Sequence, residues 1–312
     1  MSGRAVDVPE AVRRKAMARG AEGRRWLEHL DGLIREIERA WRVTVGPTLH
    51  GGSESYVAAA RTIAGDDAVI KLEMPPYASF ASEVRTLAAA DGRGYARLLE
   101  HDEERAAMLQ ERLGPSLGGF GLPVPTQIEI LCATLRRAWD VPAPAGLPSG
   151  ADKARWLSEF IAATWEEVNR PCTRRVIEQA LAFAETREAA FDPEAAVLVH
   201  GDAHSANALQ DPMHAPAAAR FKLVDPDGLL AEPAYDLAIP MREWSRELLE
   251  GDAARLGRER CAYLGRLTGV DPRGIWEWGF VERVSTGLLS IQVGADRFGR
   301  EMLAVAEAWA TT

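Results

Sequence analysis

The sequence predicts an α+β fold in two lobes, and two observations support the prediction. The first 113 residues contain short alternating segments separated by turn residues, which indicates a lobe built from a mixed sheet and helices. After Gly114 the apolar residues recur mostly at helical spacing, which indicates a mainly helical second lobe. We therefore expect an N-terminal lobe over residues 1–113 and a C-terminal lobe over residues 114–312. Each is long enough to bury a core of its own.

The N-terminal lobe combines one leading helix with a sheet that a second helix interrupts. Apolar residues at spacings of three and four predict the leading helix over 26–41, and a second helix is predicted over 80–90. Alternating polar and apolar residues between glycine- and aspartate-containing turns predict the strands. These strands are expected at residues 41–45, 56–63, 68–74, 95–99 and 108–113.

The C-terminal lobe is predicted to be helical except at two short β-rich runs, 195–200 and 220–224. A polar segment joins these two runs, so the two strands would hold that segment at a surface of the lobe. The helices are expected over residues 125–139, 152–169 and 173–191, and from Glu232 to Ala310.

Composition and charge exclude several classes of protein. A net charge of −9 argues against nucleic-acid binding, which needs clustered lysine and arginine, and instead suits a cationic small molecule. Three widely separated cysteines indicate neither a disulfide framework nor a zinc site. No stretch reaches the roughly 18 apolar residues that a membrane span requires. We expect a cytoplasmic protein without membrane contact, and no feature indicates an obligate protein partner.

The segment between the two β-rich runs contains a spacing that is typical of kinase catalytic loops. His200, Asp202 and Asn207 follow the pattern His-x-Asp-x-x-x-x-Asn, and Asp225 stands at the end of the second run. In such loops a short carboxylate faces the acceptor hydroxyl, while a neutral oxygen ligand beside it faces a hard cation. We therefore predict Asp202 as the catalytic base and Asn207 and Asp225 as ligands of Mg²⁺.

Three further residues of this region are predicted to have supporting roles. His200 and His204 are expected to form hydrogen bonds that hold the loop. Asp227, in a Pro-Asp-Gly sequence, is either an additional carboxylate near the metal or a turn residue. A remote alternative is a metallohydrolase centre, in which the two histidines and Asp202 bind zinc with His214 as the later histidine.

Residues of the N-terminal lobe are predicted to bind ATP. Lys71 is one of only four lysines among 37 basic residues, and it lies in an apolar strand directly before the helix that carries Glu83. In kinases such a strand lysine binds the α- and β-phosphates and is oriented by a helix carboxylate. A glycine-containing loop before the second strand would cover the phosphates with backbone N–H groups and hydroxyls. The phosphate-covering residues are Gly51, Gly52, Ser53 and Ser55, and the adenine-binding residues at the end of the lobe are Gln110, Glu111 and Leu113.

Together these motifs resemble the aminoglycoside phosphotransferase family of small-molecule kinases. The matching segments are 199–209, 224–228 and 232–238, and the resemblance extends from Val43 to the C-terminus. The Asp-Pro and Glu-Pro-Ala-Tyr-Asp elements are similar to the branch that contains streptomycin 6-phosphotransferases and hydroxyurea phosphotransferases. The resemblance implies a bilobal protein-kinase-like fold, use of ATP and Mg²⁺, and transfer of the γ-phosphate to a hydroxyl of an aminoglycoside.

The short connection between Asp225 and Glu232 leaves no room for an activation loop, which favours a small-molecule substrate over a protein. Carboxylates on the following helices are candidates for pairing with amino or guanidino groups of that substrate. These candidates are Asp236, Glu282, Glu232 and Glu277. A kinase of hydroxyurea, a peptide antibiotic or an amino alcohol would use the same catalytic residues and stays an alternative. A nucleotide-binding module without catalysis is disfavoured, because base, metal ligands and lysine are all present.

Overall fold

The computed structural model describes residues 6–52, 54–77, 79–213 and 220–310. The chain folds into two compact units, Met1–Gly114 and Pro115–Thr312. The predicted α+β class is confirmed, since the first unit contains a five-stranded sheet and the second is mainly helical. Within the described residues, no helix combines the length and the apolar character that crossing a membrane requires.

The first unit begins with two helices, α1 (Glu10–Ala18) and α2 (Gly20–Trp41). Helix α2 starts earlier than the predicted helix over 26–41, and α1 is absent from the prediction. Both segments are rich in arginine and glutamate, so few apolar residues mark their buried faces. The two helices approach closely at Gly23, where a Cβ atom would lie 1.9 Å from the carbonyl oxygen of Ala16.

An antiparallel sheet follows the two helices. Its strands are β1 (Val43–Thr48), β2 (Ser55–Thr62), β3 (Asp67–Glu73), β4 (Leu98–Asp102) and β5 (Ala107–Glu111), and helix α3 (Phe80–Ala90) lies between β3 and β4 in the sequence. The strand order is β1-β2-β3-β5-β4. Strand β4 extends beyond the predicted strand over 95–99 to His101 and Asp102, because these residues pair with Met108 and Ala107 of β5. Cross-strand hydrogen bonds here override a polar composition.

Helix α2 and the sheet share one apolar core. Trp26, Leu30, Ile34 and Ile37 of α2 are buried in the same cluster as Ile70 and Leu72 of β3. Their spacing of four, four and three residues is that of one helical face. Strand β3, at the centre of the sheet, is therefore held rigidly by packing as well as by its two neighbouring strands.

The second unit contains eight helices among its described residues. They are α4 (Val124–Trp139), α5 (Gly150–Glu167), α6 (Arg174–Ala189), α7 (Ala234–Arg242), α8 (Ser245–Leu249), α9 (Ala253–Thr268), α10 (Pro272–Gln292) and α11 (Asp296–Ala310), and a 3₁₀ turn at Leu117–Phe120 precedes them. Ser149 begins α5 with a capping box, in which it exchanges hydrogen bonds with Asp152. Helix α10 packs against α5, α6, α7, α9 and α11 and so forms the centre of the unit.

Two small antiparallel ladders interrupt these helices. Strand β6 (Val197–Val199) pairs with β9 (Leu229–Ala231), and β7 (Ala208–Gln210) pairs with β8 (Phe221–Leu223). The predicted β-rich runs contain β6 and β8, but these two do not pair with each other, and β7 and β9 are absent from the prediction. Three-residue strands are too short to show a period of two in the sequence. The ladders bring together the loops that follow β6 and β8.

Candidate active site

In the first unit, a lysine and a glutamate form a buried ion pair. Lys71 lies in the middle of β3, between Val57 of β2 and Met108 of β5. Its Nζ donates to both carboxylate oxygens of Glu83, in the first turn of α3, at 2.8 and 2.7 Å. The two residues are 8% and 2% exposed, and each needs the other because an unpaired charge inside a protein is strongly destabilising. The structure thus brings together the two residues predicted to handle ATP.

The loop before β2 is tied to the leading helices. Glu54 accepts a hydrogen bond from Arg19 at 2.5 Å and forms an ion pair with Lys15 at 2.7 Å. Arg19 also donates to the carbonyl oxygen of Met74 at 2.8 Å, at the end of β3. The first two helices therefore fix the start and the end of the β2–β3 hairpin.

The phosphate-covering residues of this loop fall into different positions. Gly51 and Gly52 are exposed at its tip. Ser53 lies outside the described residues. Ser55 is the first residue of β2 and is 7% exposed, so we correct its assignment to the loop. Coverage of the phosphates by the two glycines stays a prediction.

The residues predicted to bind adenine lie at the end of β5. Gln110 is 5% exposed, and its Nε2 lies 2.8 Å from the Sδ of Met108. The backbone N–H of Glu111 donates to the carbonyl oxygen of Arg97 at 2.9 Å, and its carboxylate accepts the Arg97 N–H at 2.7 Å. Leu113 is buried. These contacts hold the segment within its own unit, and adenine binding by it stays a prediction.

In the second unit, His200 links the loops that follow β6 and β8. The residue is fully buried, its Nδ1 accepts the Asp202 N–H at 3.0 Å, and its Nε2 lies 2.8 Å from the carbonyl oxygen of Val224. A carbonyl oxygen only accepts and a peptide N–H only donates, so Nε2 donates to Val224 and Nδ1 accepts from Asp202. His200 therefore connects the backbone of the predicted base to the residue before Asp225.

The next residue, Gly201, allows a carboxylate to pack against the loop. Its φ is +91°, and a Cβ there would lie 2.8 Å from the Cβ of Asp227. Both the backbone conformation and the close approach require glycine. The Oδ2 of Asp227 lies 3.5 Å from the Nζ of Lys153 on α5. Asp227 is thus a neighbour of the loop that carries Asp202.

Asp236, in the first turn of α7, anchors this loop through its backbone. Its Oδ2 accepts the His200 N–H at 3.0 Å and the indole N–H of Trp139 at 2.8 Å, and its Oδ1 accepts the Gly201 N–H at 2.8 Å. Burial raises the pKa of Asp236, and these hydrogen bonds offset only part of the effect. Because the side chain has no exposed surface, we correct the prediction that it binds a substrate. Its carboxylate holds the loop in place.

Asp202 meets two basic side chains. Its Oδ1 accepts a short hydrogen bond from Nη2 of Arg242, and its Oδ2 lies 3.5 Å from Nε2 of His204. Burial by itself would raise the pKa of Asp202, but the hydrogen bond from His204 and the charge of Arg242 outweigh it and hold the pKa well below its usual range. Burial would also lower the pKa of His204, yet Asp202 raises it overall. Asp202 is therefore ionised at neutral pH.

Asn207 and Asp225 are brought side by side by the β7–β8 ladder. The Val224 N–H donates to the carbonyl oxygen of Asn207 at 3.0 Å, and Nδ2 of Asn207 donates to the carbonyl oxygen of Asp202 at 3.1 Å. This orientation leaves the amide oxygen of Asn207 as its donor atom for a cation. Asp225 is exposed, with φ of +57°. The structure thus brings together all three residues of the predicted catalytic loop and metal site.

Comparison with known proteins identifies the family. Residues 40–294 match the family described as aminoglycoside/hydroxyurea antibiotic resistance kinase. The chain belongs to this family. It is 30% identical to the streptomycin 6-kinase of Streptomyces griseus, over 98% of this chain and 97% of that protein. It is 28% identical to a hydroxyurea phosphotransferase of Kitasatospora aureofaciens, over 98% of this chain and 86% of that protein.

A solved structure agrees with this assignment at the level of the fold. The choline kinase LicA from Streptococcus pneumoniae is 15% identical and superposes with a TM-score of 0.62, over 91% of this chain and 100% of that chain. The predicted protein-kinase-like fold and the resemblance of the motifs are therefore confirmed. Membership of the family makes the protein a phosphotransferase that acts on a hydroxyl group, and it implies ATP as the phosphoryl donor.

The remaining carboxylates predicted to bind the substrate of this kinase have partners inside the second unit. Glu282 is 5% exposed and accepts hydrogen bonds from Tyr235 at 2.6 Å and Arg242 at 3.0 Å. Glu277 is 4% exposed and pairs with Arg187 at 2.7 Å and with Arg273. Both carboxylates are thus buried and paired within the fold, and contact of either with a substrate stays a prediction.

Glu232 is the most exposed of these four carboxylates. It accepts the indole N–H of Trp278 at 2.8 Å and pairs with Arg187 at 3.3 Å, and its side chain is 35% exposed. Contact between Glu232 and a substrate stays a prediction. The aspartates and glutamates of these helices look alike in the sequence, and only their partners separate the buried members from the exposed one.

The metallohydrolase alternative is incompatible with the contacts of the two loop histidines. Both ring nitrogens of His200 are engaged by backbone groups, as described above. His204 accepts the Ala206 N–H at Nδ1, 3.2 Å away, and faces Asp202 with Nε2. Neither ring presents a lone pair to zinc, which needs an unprotonated nitrogen. The third histidine of that hypothesis, His214, lies outside the described residues.

Sequence reasoning missed Arg242, the last residue of α7. It contacts the predicted base directly and is separated from it by 40 residues in the chain. One signal was available: it is the only basic residue of a helix whose one other charged residue is Asp236. Arginine makes up 33 of the 37 basic residues, so one arginine in a helix is a weak signal of function in this sequence.

Proposed function

We propose that this kinase transfers the γ-phosphate of ATP to a hydroxyl of an aminoglycoside, with streptomycin as the first candidate. The observation that carries the proposal is the pair of loops after β6 and β8: Asn207 donates to the backbone of Asp202 in the first, and its own backbone accepts from Val224, the residue before Asp225, in the second. The similarity to a streptomycin 6-kinase over nearly the whole chain supports this acceptor. A net charge of −9 suits a polycationic substrate, because it raises the local concentration of cations at the protein surface.

In this proposal Asp202 orients the acceptor hydroxyl. The hydroxyl oxygen forms a bond to the γ-phosphorus while the bond from that phosphorus to the β–γ bridging oxygen breaks, and ADP leaves. The hydroxyl proton passes to the carboxylate of Asp202 and then to solvent. Its low pKa makes Asp202 a weak base, so its main contribution is to position the hydroxyl for a loose transition state.

Asn207 and Asp225 would hold Mg²⁺. The donor chemistry fits: the amide oxygen of Asn207 and the carboxylate of Asp225 are hard oxygen ligands on adjacent chain segments. No three His, Cys, Asp or Glu side chains form a metal cluster within the described residues, so phosphate oxygens would complete the coordination. A bound Mg²⁺ supplies neutralisation of the charge on the β- and γ-phosphates.

Lys71 would bind the α- and β-phosphates. Its Nζ has a fixed position because Glu83 binds it with both oxygens. Because the side chain is buried, the local dielectric constant around Nζ is low. A cation of fixed position stabilises phosphate charge without reorganisation during the reaction. Gly51 and Gly52 would cover the phosphates with backbone N–H groups.

The test is a coupled assay of ADP production with purified protein, Mg²⁺ and ATP. The acceptors are streptomycin, two other aminoglycosides, hydroxyurea and an amino alcohol, and mass spectrometry detects a phosphorylated product. We expect phosphorylation of streptomycin, with a kcat that falls about 1000-fold in Asp202→Asn. Phosphorylation of the amino alcohol alone would replace the proposal with a metabolite kinase. ADP production without any phosphorylated acceptor would contradict phosphoryl transfer to all five compounds.

Hydroxyurea is the second candidate acceptor, because the chain is nearly as similar to a hydroxyurea phosphotransferase as to streptomycin 6-kinases. The two acceptors differ in charge, since hydroxyurea is neutral and streptomycin is a polycation. Raising the ionic strength weakens the attraction between an acidic protein and a cationic substrate. We therefore expect the KM for streptomycin to rise with salt and the KM for hydroxyurea to stay constant.

A further inference from the structure

The guanidinium group of Arg242 lies between two carboxylates of the second unit. Its Nη2 donates to Oδ1 of Asp202, and its Nη1 donates to Oε2 of Glu282 at 3.0 Å and to Oγ1 of Thr286 at 3.4 Å. The side chain of Arg242 is 13% exposed, and that of Glu282 is 6% exposed. The planar fork of an arginine suits this arrangement, because it presents two nitrogens in fixed directions.

The carboxylate of Glu282 is also held in position. The other oxygen of Glu282 accepts the hydroxyl of Tyr235 at 2.6 Å. Tyr235 is fully buried, and its ring lies edge-on against Trp278 with ring centres 4.8 Å apart. A chain of three contacts therefore runs from a packed aromatic pair through Glu282 and Arg242 to the predicted base. Each member is fixed by the next, so the guanidinium has little freedom to move.

The contact from Arg242 gives the two oxygens of the Asp202 carboxylate different partners. Oδ1 accepts from Arg242, while Oδ2 is directed towards His204 at 3.5 Å. The backbone of Asp202 is fixed separately, by His200 and Asn207. These backbone contacts leave the Asp202 side chain free to rotate about both of its bonds, and the hydrogen bond from Arg242 restricts both rotations. Because the carboxylate is ordered before the substrate binds, the reaction does not incur the entropy cost of ordering it.

On the basis of the proposed function, we infer that Arg242 is a positioning residue that orients the Asp202 carboxylate towards the acceptor hydroxyl. Glu282 and Tyr235 serve this role indirectly, because they fix the guanidinium. This inference gives Glu282 a place in the reaction other than the substrate contact that the sequence predicts. We expect changes in this chain of contacts to affect turnover and not nucleotide binding, because none of its members belongs to the predicted ATP-binding residues.

The test compares the steady-state kinetics of Arg242→Met, Arg242→Lys and Arg242→Ala with those of the wild-type enzyme. For Arg242→Met we expect kcat to fall about 100-fold, as for a misplacement of a catalytic group by about 1 Å, while KM for ATP stays within about twofold. Arg242→Lys keeps the charge and loses the planar fork, so its kcat should lie between that of the wild type and that of Arg242→Met. Added methylguanidine should restore part of the kcat of Arg242→Ala and leave the wild type unchanged.

The matched control is Arg246→Met, which removes another arginine from an ion pair. Arg246 lies on α8, is 65% exposed and pairs with Glu301 at 3.2 Å. Its kcat and KM should equal those of the wild type. Tyr235→Phe, which removes one hydroxyl and keeps the ring, tests the same inference if the arginine variants do not fold, and we expect its kcat to fall about threefold to tenfold as one hydrogen bond is lost.

The outcomes separate this inference from the proposed function. A wild-type protein that phosphorylates none of the acceptors overturns the proposed function, and the inference with it. An active wild type with an equally active Arg242→Met overturns the inference alone. So does a loss that appears only in KM for ATP, or a folded Arg242→Ala that methylguanidine does not restore. Full activity in Tyr235→Phe contradicts the part of the inference that concerns Glu282.

Discussion

Two ion pairs, one in each unit, have functional groups of opposite charge. In the first unit, Lys71 is the predicted functional group, and Glu83 orients it with both oxygens. In the second unit, the carboxylate of Asp202 is the predicted functional group, and Arg242 orients it with one nitrogen. The signs differ because one group must meet anionic phosphates and the other a hydroxyl. In both cases an opposite charge holds the functional group in a fixed position.

The pairs also differ in how much of the chain they span. The Lys71–Glu83 pair joins residues 12 apart on consecutive elements, whereas the Asp202–Arg242 pair joins residues 40 apart and continues to Glu282. The first pair depends on one strand and the helix that follows it. The second depends on how α7 and α10 pack against the loop after β6. We therefore expect variants of the two pairs to affect different kinetic constants.

The largest effect should follow from Asp202→Asn. The amide keeps the shape of the side chain but neither carries the negative charge nor accepts a proton, so kcat should fall about 1000-fold. Nucleotide binding should persist, because Asp202 is not among the predicted ATP ligands. Steady-state kinetics and calorimetric titration with Mg²⁺-ATP measure the two properties. Equal losses in turnover and ATP affinity would remove the proposed distinction between the pairs.

Lys71→Met should impair the use of ATP more than the use of the acceptor. Loss of the cation removes a contact to the phosphates and leaves Glu83 as a buried charge, so kcat/KM for ATP should fall about 100-fold. KM for the acceptor should change little. Lys222→Met is the matched control, since Lys222 is also a strand lysine, on β8, with an acidic partner in Asp211 at 3.8 Å. Comparable losses in both variants would show that lysine removal acts through stability.

Asp236→Asn should act mainly on stability. Its carboxylate accepts three hydrogen bonds from donors, and an amide turns one acceptor into a donor that faces them. We expect a loss of about 2 kcal/mol in the free energy of unfolding, and a fall in Tm of roughly 4–8 °C. Differential scanning calorimetry measures it, with Asp31→Asn on the exposed face of α2 as the control. An unchanged Tm would mean that the loop does not depend on this anchor.

The smallest effect concerns pH. The pKa of His204 is raised in the folded protein, so its protonated form adds stability that is fully present below about pH 6.5 and is lost as the pH rises through the raised value. Protonation at Nδ1 gives up the hydrogen bond from the Ala206 N–H, which limits the gain. His204→Gln should therefore flatten the decline of Tm above that pH slightly. His101→Gln, at an exposed histidine of β4, should leave the decline unchanged.

The sequence by itself predicted the features that depend on neighbouring residues. The α+β class, the position of Lys71 in a strand before a helix with Glu83, and the spacing of Asp202, Asn207 and Asp225 are all local patterns. Periodicity and spacing report such features directly, because a strand or helix imposes them on consecutive residues. The same motifs sufficed to indicate the family.

The tertiary structure decided which charges meet. Asp236 proved to be an anchor of the loop, and Glu277 and Glu282 proved to be partners of arginines, although all three look like exposed helix carboxylates in the sequence. Arg242 reached Asp202 across 40 residues. Such contacts depend on the docking of α7 and α10, and packing between distant elements leaves no period or fixed spacing in the chain. A sequence can therefore indicate the functional group, whereas only the folded protein shows what holds it in place.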